Sequence, residues 1–157
     1  MNAILPAMRQ AGHGRIVNIS SVVGFLPAPH MGIYTASKHA LEGYTETLDH
    51  EVWGFGVRTM LVEPAYTRTK INGNSKSARS TLEVYAAERK RVVEVVEQEV
   101  ERGDDPRIVA ESVWKALSAK SPQLRYPGGK GVALSRLHRF VPASMFDRSL
   151  RKQLYLD

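Results

Sequence analysis

The sequence predicts an α/β fold in which helices flank a parallel sheet. Two apolar runs, residues 14–21 and 57–64, have the length and the branched side chains of buried strands. Residues 34–53 lie between them and are long enough for roughly five helical turns, with Gly54 and Gly56 at the end. A strand, a helix and a second strand in this order form the unit from which parallel sheets are built.

The regions around this unit carry weaker signals. Residues 1–11 read as the last turns of a helix that Gly12 ends, and residues 72–80 are polar and read as a connection. Between the first strand and the long helix lies a loop, residues 21–31. Three apolar side chains in this loop either line a substrate pocket or cover the core: Phe25, Leu26 and Met31.

The second half of the chain predicts further helices and one strand. Residues 82–100 form an amphipathic helix, and Asp105 followed by Pro106 starts another, because aspartate caps a helix and proline suits its first turn. Residues 123–126 form a short strand that closes the sheet edge. Residues 134–157 are helical apart from a break at Pro142. Their expected buried side chains are Phe140, Met145, Phe146, Leu150 and Leu154.

Composition narrows the classes of protein. A chain of 157 residues, of which 43% are hydrophobic, suits one domain with a single core. It contains no apolar run of about 18 residues, so we expect no integral membrane segment. Cysteine is absent, which excludes disulfides and thiolate metal sites, and we expect no metal. A chain without cysteine fits a reducing compartment, and we expect a cytoplasmic protein.

The net charge of +6 arises in the last quarter of the chain. Residues 1–119 carry 14 Lys or Arg and 14 Asp or Glu, whereas residues 120–157 carry 8 and 2. We interpret residues 120–157 as a basic C-terminal extension whose charges are solvated or paired within the fold. Contact with an anionic surface is the alternative. We expect no nucleic-acid partner, because no nucleic-acid-binding motif accompanies the charge.

The spacing of Tyr34 and Lys38 indicates a site for proton transfer. Four residues apart on a helix, their side chains leave the same face one turn from each other. A phenol has an unperturbed pKa of about 10, and a neighbouring ammonium lowers that pKa toward neutral. Ser21, at the end of the first strand, offers a hydroxyl that can hold a substrate oxygen while Tyr34 gives or takes a proton. Such a site suits carbonyl and alcohol interconversion, with the hydride supplied by a cofactor.

These residues together resemble the short-chain dehydrogenase/reductase family, most closely over residues 1–69. By itself, tyrosine four residues before lysine is equally typical of a half-buried residue on an amphipathic helix. The resemblance rests on the whole set: Ser20-Ser21, then Tyr34-Thr35-Ala36-Ser37-Lys38, then Glu63-Pro64 with Thr67 and Thr69 after it. It implies the catalytic residues Ser21, Tyr34 and Lys38. It also implies an NAD or NADP site formed by Tyr34, Lys38, Pro64, Thr67 and Thr69.

The resemblance carries further expectations. It implies the C-terminal part of a doubly wound, Rossmann-type parallel sheet in a single partial domain, residues 1–157. Residues 66–103 would form a substrate lid, and the helix at residues 34–53 would face both the active site and a second subunit of a homo-oligomer. Ala65 stands where the family commonly has glycine, which affects the local turn. The implied activity is an NAD(P)-dependent oxidoreductase that interconverts a secondary alcohol and a ketone or aldehyde.

The glycine-rich turn with which this family binds its dinucleotide does not precede Ser21. We therefore expect that the N-terminal dinucleotide-binding strands are missing, and that this truncated chain is inactive alone. The alternative is a genuine short protein that acts as a non-catalytic binding or oligomerisation module. The intact set of Ser21, Tyr34 and Lys38 argues against that alternative.

The second half of the chain is similar to the branch of the family that includes 17β-hydroxysteroid and retinol dehydrogenases. This similarity implies that the substrate is a small, hydrophobic alcohol or ketone. It rests on Asp105-Pro106, on Leu124-Arg125-Tyr126-Pro127 and on the run from Phe146-Asp147-Arg148 to Lys152.

Overall fold

A computed structural model describes residues 1, 3–71 and 82–154 of the chain. The connection predicted at residues 72–80 lies outside the described residues. In chain order the elements are α1 (Leu5–Ala11), β1 (Gly14–Ile19), α2 (Gly32–Val52), β2 (Val57–Pro64), α3 (Ala86–Glu101), α4 (Pro106–Ser118), β3 (Arg125–Gly128), α5 (Gly131–Phe140) and α6 (Ala143–Gln153).

The three strands form one parallel sheet in the order β1-β2-β3. The register of β1 and β2 runs from Gly14 opposite Val57 to Ile19 opposite Val62. β3 pairs with the last four residues of β2, so that Pro64 lies opposite Gly128. The predicted α/β class is therefore confirmed, and the predicted short strand lies at the edge of the sheet.

Helices cover both faces of β2. Met60 and Val62 pack with Ala116 of α4 and with Tyr126 in an apolar core. On the opposite face, Thr59 Oγ1 donates a hydrogen bond to the Thr45 carbonyl oxygen of α2 at 2.8 Å. Because alternate residues of a strand point to opposite faces, one central strand holds both helices in a three-layer arrangement.

α2 contacts the sheet through polar groups. Thr45 Oγ1 accepts a hydrogen bond from Asn18 Nδ2 at 2.9 Å. Asp49 Oδ1 accepts from Arg58 Nε at 2.9 Å and from the Thr59 backbone N–H at 2.8 Å. Buried polar groups require such partners, so this contact fixes the helix in a defined position on the sheet.

Several predictions about the second half of the chain were wrong in detail. α3 begins at Ala86, because residues 83–85 form a separate 3₁₀ turn. Phe140 and Met145, expected to be buried, are 82% and 63% exposed. On α5 the half-buried Leu134 and the His138 ring, which contacts Phe25, lie on one side, whereas Phe140 falls on the other side and is exposed.

Other predictions are confirmed. Asp105 caps α4 by accepting a hydrogen bond from the Arg107 backbone N–H at 2.9 Å, and Pro106 occupies the first turn. α5 and α6 are separated at Pro142. Leu154 is buried as predicted, whereas Phe146 and Leu150, also expected to be buried, are only half-buried. Among the residues described, no helix combines the length and the hydropathy needed to cross a membrane.

Candidate active site

The turn after β1 places Ser21 at the carboxyl edge of the sheet. The Ser20 backbone N–H donates to the Val62 carbonyl oxygen at 2.8 Å and extends the ladder between β1 and β2. Ser21 then caps a single 3₁₀ turn, Val22–Gly24. Its Oγ donates to the Pro64 carbonyl oxygen and accepts from the Val23 N–H, both at 3.4 Å. Both bonds are long for a hydroxyl, so it can turn to another acceptor at little cost.

Lys38 reaches the same edge from α2. Its Nζ donates to the Ile19 carbonyl oxygen at 2.9 Å, which fixes the ammonium group two residues from Ser21. Burial lowers the pKa of Lys38, and the nearby Glu42 carboxylate opposes that effect. The Ile19 bond uses one of three N–H donors and leaves two for other acceptors.

Tyr34 lies in the first turn of α2, one turn before Lys38, and is half-buried. The Lys38 Nζ atom is 5.6 Å from the centroid of the Tyr34 ring. The structure thus places the Tyr34 phenol beside an ammonium group that is bonded to the last residue of β1, two residues before Ser21. A phenol beside an ammonium group is an arrangement that can transfer a proton.

The three remaining predicted residues lie at the end of β2 and just beyond it. Pro64 is its last residue, and its carbonyl oxygen accepts from Ser21 Oγ. Thr67 forms an isolated parallel bridge with Asp104, and its Oγ1 donates to the Ala65 carbonyl oxygen at 3.2 Å. Thr69 is exposed on the bend beyond. Pro64 therefore lies beside Ser21, whereas Thr67 is held against the start of the α4 region.

α3 contacts the loop that leads into α2. His30 Nε2 is 3.8 Å from Glu88 Oε2, at the beginning of α3. His30 has a positive φ of 58°, an uncommon backbone conformation for a residue with a side chain. This contact joins the region predicted as a lid to the segment that carries Tyr34.

A charged cluster that the sequence did not predict lies next to these residues. Arg125 of β3 donates hydrogen bonds to Glu42 and Glu46 of α2 and to Glu63 of β2. Glu63 is 0% exposed and Glu42 is 5% exposed. Burial, and then the Glu42 carboxylate, raise the pKa of Glu63 to about 7 in spite of Arg125. The available signals were the four-residue spacing of Lys38, Glu42 and Glu46 and a glutamate within an apolar strand.

Comparison with known proteins supports the class of protein that this fold and site define. The family model for short chain dehydrogenases matches residues 1–80. The uncharacterized oxidoreductase YusZ of Bacillus subtilis is 35% identical over 158 residues, covering 97% of this chain and 56% of YusZ. The 3-ketodihydrosphingosine reductase of Bacteroides thetaiotaomicron is 35% identical over 153 residues, covering 95% of this chain and 57% of the reductase.

A third relative and two solved structures agree. The NADPH-dependent 3-dehydrocapnine reductase of Ornithobacterium rhinotracheale is 31% identical over 160 residues, covering 96% of this chain and 55% of the reductase. A short-chain dehydrogenase from Streptomyces avermitilis superposes with a TM-score of 0.70 at 31% identity, covering 99% of this chain and 55% of that one. A short chain dehydrogenase/reductase from Burkholderia phymatum in complex with NAD superposes with a TM-score of 0.69 at 27% identity. The match covers 88% of this chain and 50% of that one.

These matches and the parallel sheet agree on a fold of the α/β class. The chain belongs to the short-chain dehydrogenase family. It spans about half the length of the relatives that it matches.

Proposed function

We propose that the protein containing this chain is an NAD(P)-dependent oxidoreductase that interconverts a secondary alcohol and a ketone or aldehyde. The observation that carries this proposal is the hydrogen bond from Lys38 Nζ to the Ile19 carbonyl oxygen. It holds the ammonium group beside Tyr34 and close to Ser21, at the carboxyl end of β1. The carboxyl ends of parallel strands are where α/β enzymes bind their ligands.

Each of the three side chains has a distinct role in the proposed reaction. In the reducing direction Tyr34 donates its phenolic proton to the carbonyl oxygen, and in the oxidising direction it takes the proton back. Ser21 donates a hydrogen bond to the same oxygen, which its long bonds to Pro64 and Val23 allow. The positive charge of Lys38 stabilises the phenolate that remains on Tyr34 after proton donation.

The residues present fit a nicotinamide cofactor. Lys38 has two N–H donors beyond its Ile19 bond, and these suit ribose hydroxyls. Pro64, Thr67 and Thr69 follow at the adjoining strand end, where they would meet the nicotinamide half of the cofactor. When bound, the cofactor supplies or accepts the hydride. Among the relatives, the Burkholderia phymatum protein binds NAD and the Ornithobacterium reductase is named NADPH-dependent.

We place the substrate among hydrophobic ketones and alcohols. The Phe25 ring lies 5.4 Å from the ring of His138, which lies 5.9 Å from the ring of Phe146. These ring contacts join the loop after Ser21 to α5 and α6, and Phe25 lies four residues after Ser21. The Bacteroides relative is named for the reduction of a 3-keto compound, and the similarity of the second half of the chain to the 17β-hydroxysteroid and retinol dehydrogenase branch stays a prediction. Residues 66–103 would cover the substrate as a lid, supported by the contact between His30 and Glu88.

We also propose that the 157-residue chain does not turn over alone, because the glycine-rich turn for the pyrophosphate is not part of it. A non-catalytic binding or oligomerisation module is the competing proposal. The lack of the glycine-rich turn in the 157-residue chain also favours this module, because that turn supplies much of the binding site for the dinucleotide.

The test compares the 157-residue chain with the full-length product of its gene. Each is titrated with NADH and NADPH against tryptophan fluorescence, and each is assayed with a panel of hydrophobic ketones by the absorbance of the reduced nicotinamide. We expect turnover in the full-length product and neither turnover nor saturable binding in the short chain. Saturable binding by the short chain would contradict its inactivity. Absence of turnover in the full-length product with every ketone of the panel would favour the module.

A further inference from the structure

Arg125 joins three elements at one point. Its guanidinium group donates to Glu42 and Glu46 on α2 and to Glu63 on β2, and Arg125 itself belongs to β3. Glu42 lies one turn after Lys38, and Glu63 directly precedes Pro64, whose carbonyl oxygen accepts from Ser21. The cluster therefore contacts both segments that carry the proposed catalytic residues.

The same cluster contacts the turn after Ser21. Gly24 packs so closely that an added Cβ atom would lie 2.6 Å from Glu42 Oε1 and 2.8 Å from Ser20 Oγ. This approach places Glu42 directly beneath the 3₁₀ turn that Ser21 caps. A shift of Glu42 would therefore move the Ser21 turn as well as α2.

The cluster is poorly suited to a purely stabilising role. Three carboxylates share one guanidinium group, and Glu42 Oε1 and Glu63 Oε2 are buried without hydrogen-bond partners in the described part of the chain. Ser20 Oγ beside them is likewise unpaired. Buried ion pairs contribute little to stability even when all their atoms are satisfied. Unsatisfied polar groups of this kind concentrate at functional sites.

We infer that Arg125, Glu42 and Glu63 form a positioning cluster, which clamps α2 to the sheet one turn beyond Lys38 and thereby sets Lys38 and Tyr34 relative to Ser21. These three residues act through Lys38 and the Ser21 turn, and they do not touch the substrate. The catalytic part of this inference rests on the proposed function. The clamp itself is a property of this chain and is tested without turnover.

The first arm of the experiment measures Lys38 directly. The chain is labelled with ¹³C-lysine, and the Lys38 Cε signal, identified by its loss in Lys38→Arg, is followed through a pH titration. Glu42→Gln removes the charge and keeps the shape. We expect its Lys38 midpoint to move to lower pH, because the attraction of Glu42 is lost. Glu46→Gln, further along α2, is expected to move the midpoint less. Glu111→Gln, on the exposed surface of α4, is the matched control and is expected to leave it unchanged.

The second arm uses the full-length gene product. Glu42→Gln and Arg125→Lys are expected to lower kcat by roughly 10- to 100-fold with KM nearly unchanged, because the loss is one of geometry. If Glu42→Gln fails to fold, Arg125→Lys, which keeps the charge, decides this arm. The inference is overturned if folded variants match Glu111→Gln in both the Lys38 midpoint and kcat. The proposed function is wrong if the wild-type protein shows no turnover or if Tyr34→Phe retains turnover. In that case the Lys38 titration alone tests whether the cluster clamps α2 to the sheet.

Discussion

The Lys38 ammonium group donates a hydrogen bond to the Ile19 carbonyl oxygen at 2.9 Å. Ile19 is the last residue of β1, so this bond ties the second turn of α2 to the end of the strand that precedes Ser21. A loop of twelve residues, 20–31, separates the two elements along the chain. The bond therefore fixes a distance that the loop alone would leave variable.

Ser21→Ala is expected to reduce turnover of the full-length product by roughly 100- to 1,000-fold, because the hydroxyl that holds the carbonyl oxygen is lost. Ser20→Ala is the matched control. The Ser20 hydroxyl is buried and has no hydrogen-bond partner among the described residues, so its removal is expected to change the free energy of unfolding by less than about 1 kcal/mol. Steady-state kinetics and urea unfolding measure both. Equal loss of turnover in the two variants would contradict the assignment of Ser21.

Stability is expected to depend on the ionisation of Glu63. Folding raises the pKa of Glu63 from 4.5 to about 7, so between these pH values the folded state holds more protons than the unfolded state. The stability that comes from holding Glu63 protonated in the folded state is fully present below pH 4.5, and it is lost as the pH rises through about 7. It amounts to about 3 kcal/mol. Urea unfolding at a series of pH values measures the decline, and Glu63→Gln is expected to abolish it. If the Glu63→Gln variant loses stability over the same pH range, the loss arises from another group and the prediction is wrong.

Gly24→Ala is expected to destabilise the fold by about 1–3 kcal/mol, because its Cβ would meet Glu42 Oε1 at 2.6 Å and Glu42 Cγ at 2.8 Å. Gly43→Ala is the matched control, since nothing lies within 4 Å of a Cβ atom at that position. As Gly43 lies inside α2, alanine there is expected to stabilise the fold by about 0.5–1 kcal/mol. Thermal unfolding compares the two. A neutral Gly24→Ala variant would show that the Ser21 turn does not pack on Glu42.

The exposed face of α2 is expected to mediate self-association, as the sequence resemblance implies. Ile33 is 91% exposed and Tyr44 is 48% exposed, and a spacing of eleven residues places them on the same side of the helix. Tyr44→Lys is expected to shift the sedimentation coefficient toward that of the monomer. Trp114→Lys, an exposed aromatic residue on α4, is the matched control. A concentration-independent monomer in wild type would contradict the prediction.

The sequence predicted the sheet and α2 well, because apolar runs and helical spacing are local properties. It also indicated the Tyr34 and Lys38 pair, since a helix determines which residues share a face. Thr67 was expected to serve the cofactor, and the structure shows that its hydroxyl already bonds to the Ala65 carbonyl oxygen. Whether Thr67 contacts a cofactor stays a prediction.

The Arg125 cluster could not be predicted, because its members are distant along the chain. Arg125 is 62 residues from Glu63 and 83 from Glu42. Only the pairing of β3 with β2 brings them together, and a basic residue in a basic segment is ordinarily solvated. The predicted burial of Phe140 and Met145 was wrong for a related reason. Hydrophobicity alone does not identify which side of a helix faces the core.

The most direct test of the account is the kcat of Tyr34→Phe in the full-length product, measured beside its affinity for the cofactor. The change removes the phenolic oxygen and keeps the ring, so proton transfer is lost while the ammonium group of Lys38 stays beside Ile19. We predict that turnover disappears and that cofactor affinity stays close to that of wild type. Full turnover in Tyr34→Phe would contradict the account.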